Sequence, residues 1–158
     1  MAECKFNKVL VANRGEIAIR VFRALNELGI TSVAVYSKED KYAMFRTLAD
    51  EAYPLNPEKG PIDAYLDIPT ILKIAKDHNV DAIHPGYGFL SENADFARAC
   101  EEAGITFIGP SGDVIRAMGN KAAARKLMQS AGVPVVPGSD GVIESAEEAL
   151  KVAERIGY

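Results

Sequence analysis

Ala82-Ile83-His84-Pro85-Gly86-Tyr87-Gly88-Phe89-Leu90-Ser91-Glu92-Asn93 reads as the end of a buried strand, a glycine-punctuated loop and the approach to a helix. Pro85 has no N–H for a sheet ladder and holds His84 extended, so a strand from Val80 stops at His84. Gly86 and Gly88, on either side of an aromatic, let the backbone come close to something that a side chain would fend off. Ser91 is a favoured N-cap, and Glu92 suits the positive end of the helix that follows. In an open α/β sheet, ligands bind in the loops beyond the carboxyl ends of the strands. By itself a Gly-x-Gly describes a plain strand-to-helix turn equally well, so the rest of the chain has to decide.

Upstream, Lys8 to Asn13 is a nearly unbroken apolar run, the pattern of a parallel strand covered on both faces. Arg14-Gly15 turns the chain into a helix over about Glu16 to Leu28, stopped by Gly29. Ala18, Val21, Phe22, Leu25 and Leu28 form its apolar stripe. Glu16, Arg20, Arg23 and Glu27 fall together on the opposite side. Such a charged stripe is ordinarily a solvated face with marginal ion pairs; the functional alternative is a subunit contact that complements itself across a two-fold axis. Thr31–Tyr36 is a second strand and Ala52–Leu55 a third. A helix over Asp67–Asn79 turns Ile68, Ile71, Leu72 and Ala75 inward. Downstream, Ala94–Ala103 is helical and Ile105–Ile108 is a strand closed by Gly109-Pro110. Strands alternating with helices at this spacing predict a parallel, doubly wound, Rossmann-like sheet. Gly15 stands alone after the first strand, so the dinucleotide fingerprint G-x-G-x-x-G is missing and an NAD-binding role is disfavoured.

Beyond Pro110 the texture changes. Ser111–Met118 and Lys121–Ser130 read as two short helices separated by Gly119-Asn120. Ala131–Gly138 reads as a stiff linker or edge strand, and Ser145 with Glu148 as a capping box for a helix ending near Ile156. That helix has no following strand to cover and looks cut off. Lys121 opens a helix, where a cation works against the dipole. Either its stem carries the ammonium into water, or a phosphate occupies the space and makes both the lysine and the helix end favourable.

With 158 residues the chain is one domain, or one domain and part of another, and its 48% apolar content suffices for a core. A net charge of −4 and the absence of any Lys/Arg run argue against a nucleic-acid surface. No apolar stretch reaches membrane-spanning length. Cys4 and Cys100 lack metal-ligand spacing and suit a reducing compartment. The first five residues resemble neither a signal core nor an organelle presequence, so a cytoplasmic location is expected.

Five segments stand in the order found in biotin carboxylases: Ala12 to Arg20, His84 to Asn93, Phe107 to Pro110, Met118 to Lys121 and Ala131 to Pro134. The resemblance covers nearly the whole chain. Within that ATP-grasp family, Asp40-Lys41, Ala49 to Tyr53, and Lys59 to Ile68 are most similar to the pyruvate carboxylase branch. It implies an enzyme that uses ATP, Mg2+ and bicarbonate to make carboxyphosphate, whose CO2 passes to the ureido nitrogen of protein-bound biotin. The carboxyl group then goes to pyruvate, giving oxaloacetate. Residues 1–113 would be the N-terminal α/β domain and residues 114–158 the helical beginning of the ATP-grasp domain. Lys121 matches a lysine that contacts the nucleotide phosphates. Tyr87 and Gly88 match positions near the biotin-facing side of the cleft. Arg20, Arg23 and Glu27 match the dimer contact of a homo-oligomer that is a tetramer at full length. Asn120 stands where an Asp is commoner, which changes a charge beside Lys121.

The resemblance also places the second phosphate-binding lysine, the glycine-rich lid, the metal-binding glutamates, the catalytic groups and the biotin-attachment lysine beyond residue 158. No catalytic or metal-ligating residue is therefore expected in this chain, which by itself should not turn over ATP. A biotin carboxylase serving an acyl-CoA or urea carboxylase is the nearest alternative. A non-catalytic module that dimerises through the Arg20/Arg23/Glu27 face is the alternative from another class.

Overall fold

The computed structural model describes residues 6–139 and 141–157. Two compact units divide the chain, one up to Ile115 and one from Arg116.

In the first unit five strands, β1 (Lys8–Val11), β2 (Thr31–Tyr36), β3 (Glu51–Pro54), β4 (Ala82–His84) and β5 (Thr106–Phe107), form one parallel sheet in the order β3-β2-β1-β4-β5. Strand alternation sorts the core into two layers. Val9 and Val11 of β1, with Ala34 and Ala82, pack under Ala18, Phe22 and Leu25 of α1 (Gly15–Glu27) and Phe45 of α2 (Met44–Leu48). Leu10, Val33, Val35 and Ile83 face the other way, onto Ile71 and Ala75 of α3 (Ile68–Asp77) and Phe96, Ala97 and Cys100 of α4 (Ala94–Glu102). Two-sided burial is why β1 reads as a nearly continuous apolar run. The doubly wound expectation is met, and the order reverses between β1 and β4, the position where such sheets hold ligands.

Several local expectations change. The helix after β4 opens at Asn93, whose Oδ1 accepts from the Phe96 N–H at 2.8 Å, and not at Ser91. Ser91 is still turning, its N–H bonded to the Gly88 carbonyl at 2.9 Å, while the chain swings to bury Leu90. β4 begins at Ala82 because the Val80 N–H is taken by Ala75 at the end of α3. Leu28 leaves the apolar stripe and is 66% exposed. It caps α1 in a Schellman turn, with Gly29 N–H on the Asn26 carbonyl and Ile30 N–H on the Leu25 carbonyl, and Ile30 is buried in its place. Between β2 and β3 the chain makes a 3-10 turn over Glu39–Tyr42 and the short α2, where the sequence suggested only a polar connection.

The division between the units falls within α5 (Gly112–Gly119), and the second unit continues with α6 (Lys121–Ser130) and α7 (Ala146–Ile156). Ala131–Gly138 holds no strand, so the linker reading applies and the edge-strand reading does not. Ser145 Oγ caps α7 by accepting from the Glu148 N–H at 3.1 Å, and Glu148 accepts in return from Glu144 N–H at 3.2 Å. α7 contains no buried residue. Among the described residues no helix is long and apolar enough to cross a membrane.

Candidate functional site

The carboxyl edge of the first unit's sheet is built from three loops. After β1 come Asn13 and Arg14, after β2 come Ser37 to Asp40, and after β4 comes Pro85 to Leu90. Register brings them together: Val11 pairs with His84 and Ala34 with Val11 across adjacent strands. Asn13 is 3% exposed. Its Nδ2 donates to the Pro85 and Tyr87 carbonyls, both at 2.8 Å, and its Oδ1 accepts from the Arg14 N–H at 2.9 Å.

Gly86 is therefore required in the literal steric sense: a Cβ there would lie 2.5 Å from Asn13 Nδ2 and 2.9 Å from Ile17 Cγ2. The thing that a side chain would fend off is Asn13. A Cβ added at Gly88 would meet nothing within 4 Å, so its surroundings are open. Tyr87 projects outward, 67% exposed. Phe89 packs its ring on Tyr65 at 5.3 Å between centroids.

Tyr65 ties that loop to a charged cluster that the sequence reading missed. Asp40, 7% exposed, receives two hydrogen bonds from the Arg14 guanidinium, at 2.6 and 2.5 Å, and one from the Tyr65 hydroxyl at 2.7 Å. The same hydroxyl accepts from the Ser37 N–H at 3.2 Å. The guanidinium holds the Asp40 carboxyl below the usual carboxylate range, while burial and Asp40 together push the Tyr65 phenol up. Arg14 gives both of these donors to the one Asp40 carboxylate, and the rest of its half-exposed side chain faces solvent. No spacing in the sequence signals this trio, because its members come from three separate connections.

His84, half-buried at the end of β4, accepts from the Gly86 N–H through Nδ1 at 3.0 Å, and burial lowers its pKa. Cys100 is a buried free thiol whose pKa burial pushes up to about 12, which makes it an unreactive core residue.

Arg20, Arg23 and Glu27 all lie exposed on α1, as the stripe predicted, and none is ion-paired among the described residues. Arg23, Asn26 and Glu27 line a shallow recess of about 270 Å³ with Phe22 and with Leu48 of α2.

Within the second unit, Asn120 caps α6 by accepting from the Ala123 N–H at 3.0 Å. An Asn serves that role without the negative charge of an Asp. Lys121, exposed, lines a cleft of about 300 Å³ with Arg125, Gly138, Ser139 and Gly141. The Arg125 guanidinium donates to the Val136 carbonyl, and Arg155 donates to the Gly138 carbonyl at 3.0 Å, so two arginines hold the glycine-bordered segment. Two cations, Lys121 and Arg125, at the first turns of a helix suit a phosphate group. Among the described residues no group of three or more His, Cys, Asp or Glu could hold a metal ion.

The family described as "Biotin carboxylase, N-terminal domain" matches residues 5–115, and "Carbamoyl-phosphate synthase L chain, ATP binding domain" matches residues 120–158. The human protein "Pyruvate carboxylase, mitochondrial" is 59% identical over 96% of this chain, which spans 13% of that relative. "Biotin carboxylase 1" of Bacillus subtilis is 57% identical over 96% of the chain, which spans 33% of it. Among solved structures, the biotin carboxylase domain dimer of Hydrogenobacter thermophilus 2-oxoglutarate carboxylase, in complex with MgADP, ADP and bicarbonate, matches with a TM-score of 0.87. It is 53% identical, covering 99% of this chain and 34% of that one. Parallel sheet, glycine loop and the two successive matches agree, and the chain belongs to the biotin carboxylase family.

Proposed function

We propose that this chain is the amino-terminal part of an ATP-dependent biotin carboxylase of the pyruvate carboxylase type. Residues 1–113 would serve as its α/β domain and residues 114–158 as the opening of its ATP-grasp domain. The observation that carries the proposal is the succession of two family matches, an N-terminal biotin carboxylase domain followed by an ATP-binding domain. The 59% identity to the human pyruvate carboxylase supports pyruvate as the final acceptor. In the parent reaction ATP supplies the phosphoryl group that activates bicarbonate, so that protein-bound biotin can be carboxylated for transfer to pyruvate.

In this reading Lys121 takes a nucleotide phosphate beside the positive end of α6, the helix that it opens. Tyr87 offers an exposed aromatic face, and the open space at Gly88 lets a ring approach the backbone, which suits the biotin side of the cleft. Both would meet the biotin-carrying domain of the same enzyme. In this reading Mg2+ and the groups that turn ATP over are supplied by other parts of the enzyme, and turnover of ATP by this chain alone is not expected. The buried free thiol Cys100 suits a reducing, cytoplasmic-type compartment.

Calorimetry tests the nucleotide assignment. ATP–Mg2+ is expected to bind saturably, and Lys121→Ala to weaken binding about tenfold, which is about 1.4 kcal/mol. Equal binding by both proteins would remove Lys121 from the site, and heat absent from both would remove the nucleotide site from this chain.

The Arg20/Arg23/Glu27 face is proposed as a two-fold contact between biotin carboxylase units, within a tetramer for the whole enzyme. The solvent-exposed, unpaired state of all three side chains among the described residues supports it. Arg23→Glu should then shift sedimentation toward the monomer; an unchanged profile at equal concentration would count against the contact.

A second reading changes only the acceptor. The 57% identity to Biotin carboxylase 1 is almost that to the human pyruvate carboxylase. An acyl-CoA or urea carboxylase is therefore the alternative, and labelled-bicarbonate incorporation into pyruvate, acyl-CoA or urea by the whole enzyme distinguishes them.

A further inference from the structure

We infer that Asn13 and His84 are positioning residues that hold the Pro85–Leu90 loop from two sides and so fix where Tyr87 and Gly88 stand. The functional weight of this inference rests on the biotin-side reading of Tyr87 and Gly88 given above.

Doubly wound sheets commonly receive a ligand in the crevice at the strand-order reversal. Here that crevice, between β1 and β4, holds the Asn13 amide. Both of its N–H bonds have carbonyl acceptors, at Pro85 and Tyr87, and its oxygen is engaged by Arg14. A ligand entering there would have to displace a fully bonded, buried amide. The outer surface of the loop is what remains for recognition.

From the other side, His84 Nδ1 accepts the Gly86 N–H. That bond requires the neutral ring with its proton on Nε2. Further along, the Gly88 and Leu90 carbonyls are engaged by the Ser91 and Asn93 N–H groups, at 2.9 and 3.1 Å. The carbonyls of Pro85, Tyr87, Gly88 and Leu90 are thus all committed inside the protein, while the Tyr87 side chain points out. Gly86, Gly88 and Phe89 all have positive φ, at 66°, 65° and 43°. A run of such residues, one of them bulky, persists only where its surroundings over-determine it. A plain strand-to-helix turn needs no such construction.

The His84 bond also has a pH dependence with a definite sign. Val9, Val21, Leu25, Ile30 and Ile108 wall the recess beside the ring, and no charged side chain lines it among the described residues. Burial keeps the folded-state pKa below the ordinary 6.5. The bond's contribution is therefore complete above about pH 6.5 and is lost as pH falls through the lower folded-state value.

The test is two-dimensional NMR with amide exchange on the 158-residue chain. At neutral pH the Gly86 amide should exchange at least about tenfold faster in His84→Leu than in the wild type, a factor equal to about 1.4 kcal/mol. His84→Asn, whose Oδ1 stands where Nδ1 stood, should recover most of that protection and lose its acid dependence. Asn13→Asp turns a carboxylate toward two carbonyls and should move the Gly86, Tyr87 and Gly88 resonances while those of Val9 to Val11 stay in place. Equal Gly86 protection in the wild type and His84→Leu, or unmoved loop resonances in Asn13→Asp, would overturn the inference. If Asn13→Asp does not fold, the His84 pair decides alone. Free biotin at millimolar concentration separates this inference from the reading beneath it. It should shift the wild-type Tyr87 and Gly88 resonances. If it does not, while the variants behave as stated, the biotin-side reading fails and the positioning role stands.

Discussion

Gly86→Ala is expected to destabilise the chain by about 4 kcal/mol, against about 1–2 kcal/mol for Gly88→Ala. The two glycines share a left-handed backbone, with φ of 66° and 65°, so the conformational cost of adding a Cβ is the same at both. Space is what differs. At Gly88 the new methyl group would meet nothing, whereas at Gly86 it would sit 2.5 Å from Asn13 Nδ2 and 2.9 Å from Ile17 Cγ2. Asn13 is a short side chain that can swing only at a cost. Doing so breaks its bonds to the Pro85 and Tyr87 carbonyls and leaves buried polar groups unpaired, about 1–3 kcal/mol for each such group. Ile17 is fixed on the first turn of α1. Overpacking and lost hydrogen bonds therefore add to the backbone strain at one glycine only. Urea unfolding of the two variants measures the difference, and equal midpoints for the two would refute the contact argument.

Pro85 announces a strand end and Gly86 a close backbone approach, and both are present; at Gly88 the expected close approach is not met by any group of the protein within 4 Å of an added Cβ. The partner in the approach at Gly86 could not be read, because Asn13 is 73 positions before Gly86 and meets it only through the parallel pairing of β1 with β4. The N-cap shows a different limit. Ser91 and Asn93 have almost the same intrinsic preference for that position, and the burial of Leu90 settles the choice by keeping the chain turning two residues longer. Leu28 leaves the apolar stripe for a related reason: helical periodicity extends the stripe past the Schellman turn that ends the helix. The charged face of α1 needed only the helix itself and was legible in full. Lys121 at the start of α6 was legible for the same reason, whereas Arg125 and Arg155 reach carbonyls of a segment whose path no periodicity describes. Local features and the parallel sheet were readable; the side-chain contacts between distant connections were not.

The Arg14–Asp40–Tyr65 cluster is the largest feature of the unreadable kind, and Asp40→Asn is expected to cost about 3 kcal/mol at neutral pH. The substitution keeps the shape of the side chain and removes one acceptor oxygen and the charge. An amide cannot accept from the Arg14 guanidinium on both sides, so a donor is turned against a donor, either at Arg14 or at the Tyr65 hydroxyl. A pair buried on both sides would cost more when broken, but the Arg14 side chain is 48% exposed and its charge can be recovered by water. Tyr65→Phe leaves the Arg14–Asp40 bonds in place and should cost less, about 1–2 kcal/mol, since it removes one donor to Asp40 and the acceptor of the Ser37 N–H. Acidity supplies the decisive check. Asp40 has its carboxyl pKa lowered from an ordinary 3.8, chiefly by the Arg14 hydrogen bonds. A carboxyl with a depressed folded-state pKa gives its full contribution above the ordinary value and loses it as pH falls through the folded-state value. Wild-type stability should therefore approach that of Asp40→Asn as the solution is acidified below pH 3.8, because a protonated carboxyl and an amide offer Arg14 nearly the same acceptor. Stability curves that stay parallel through that range would show that the carboxylate charge is not what joins the β1 and β2 loops at the carboxyl edge of the sheet.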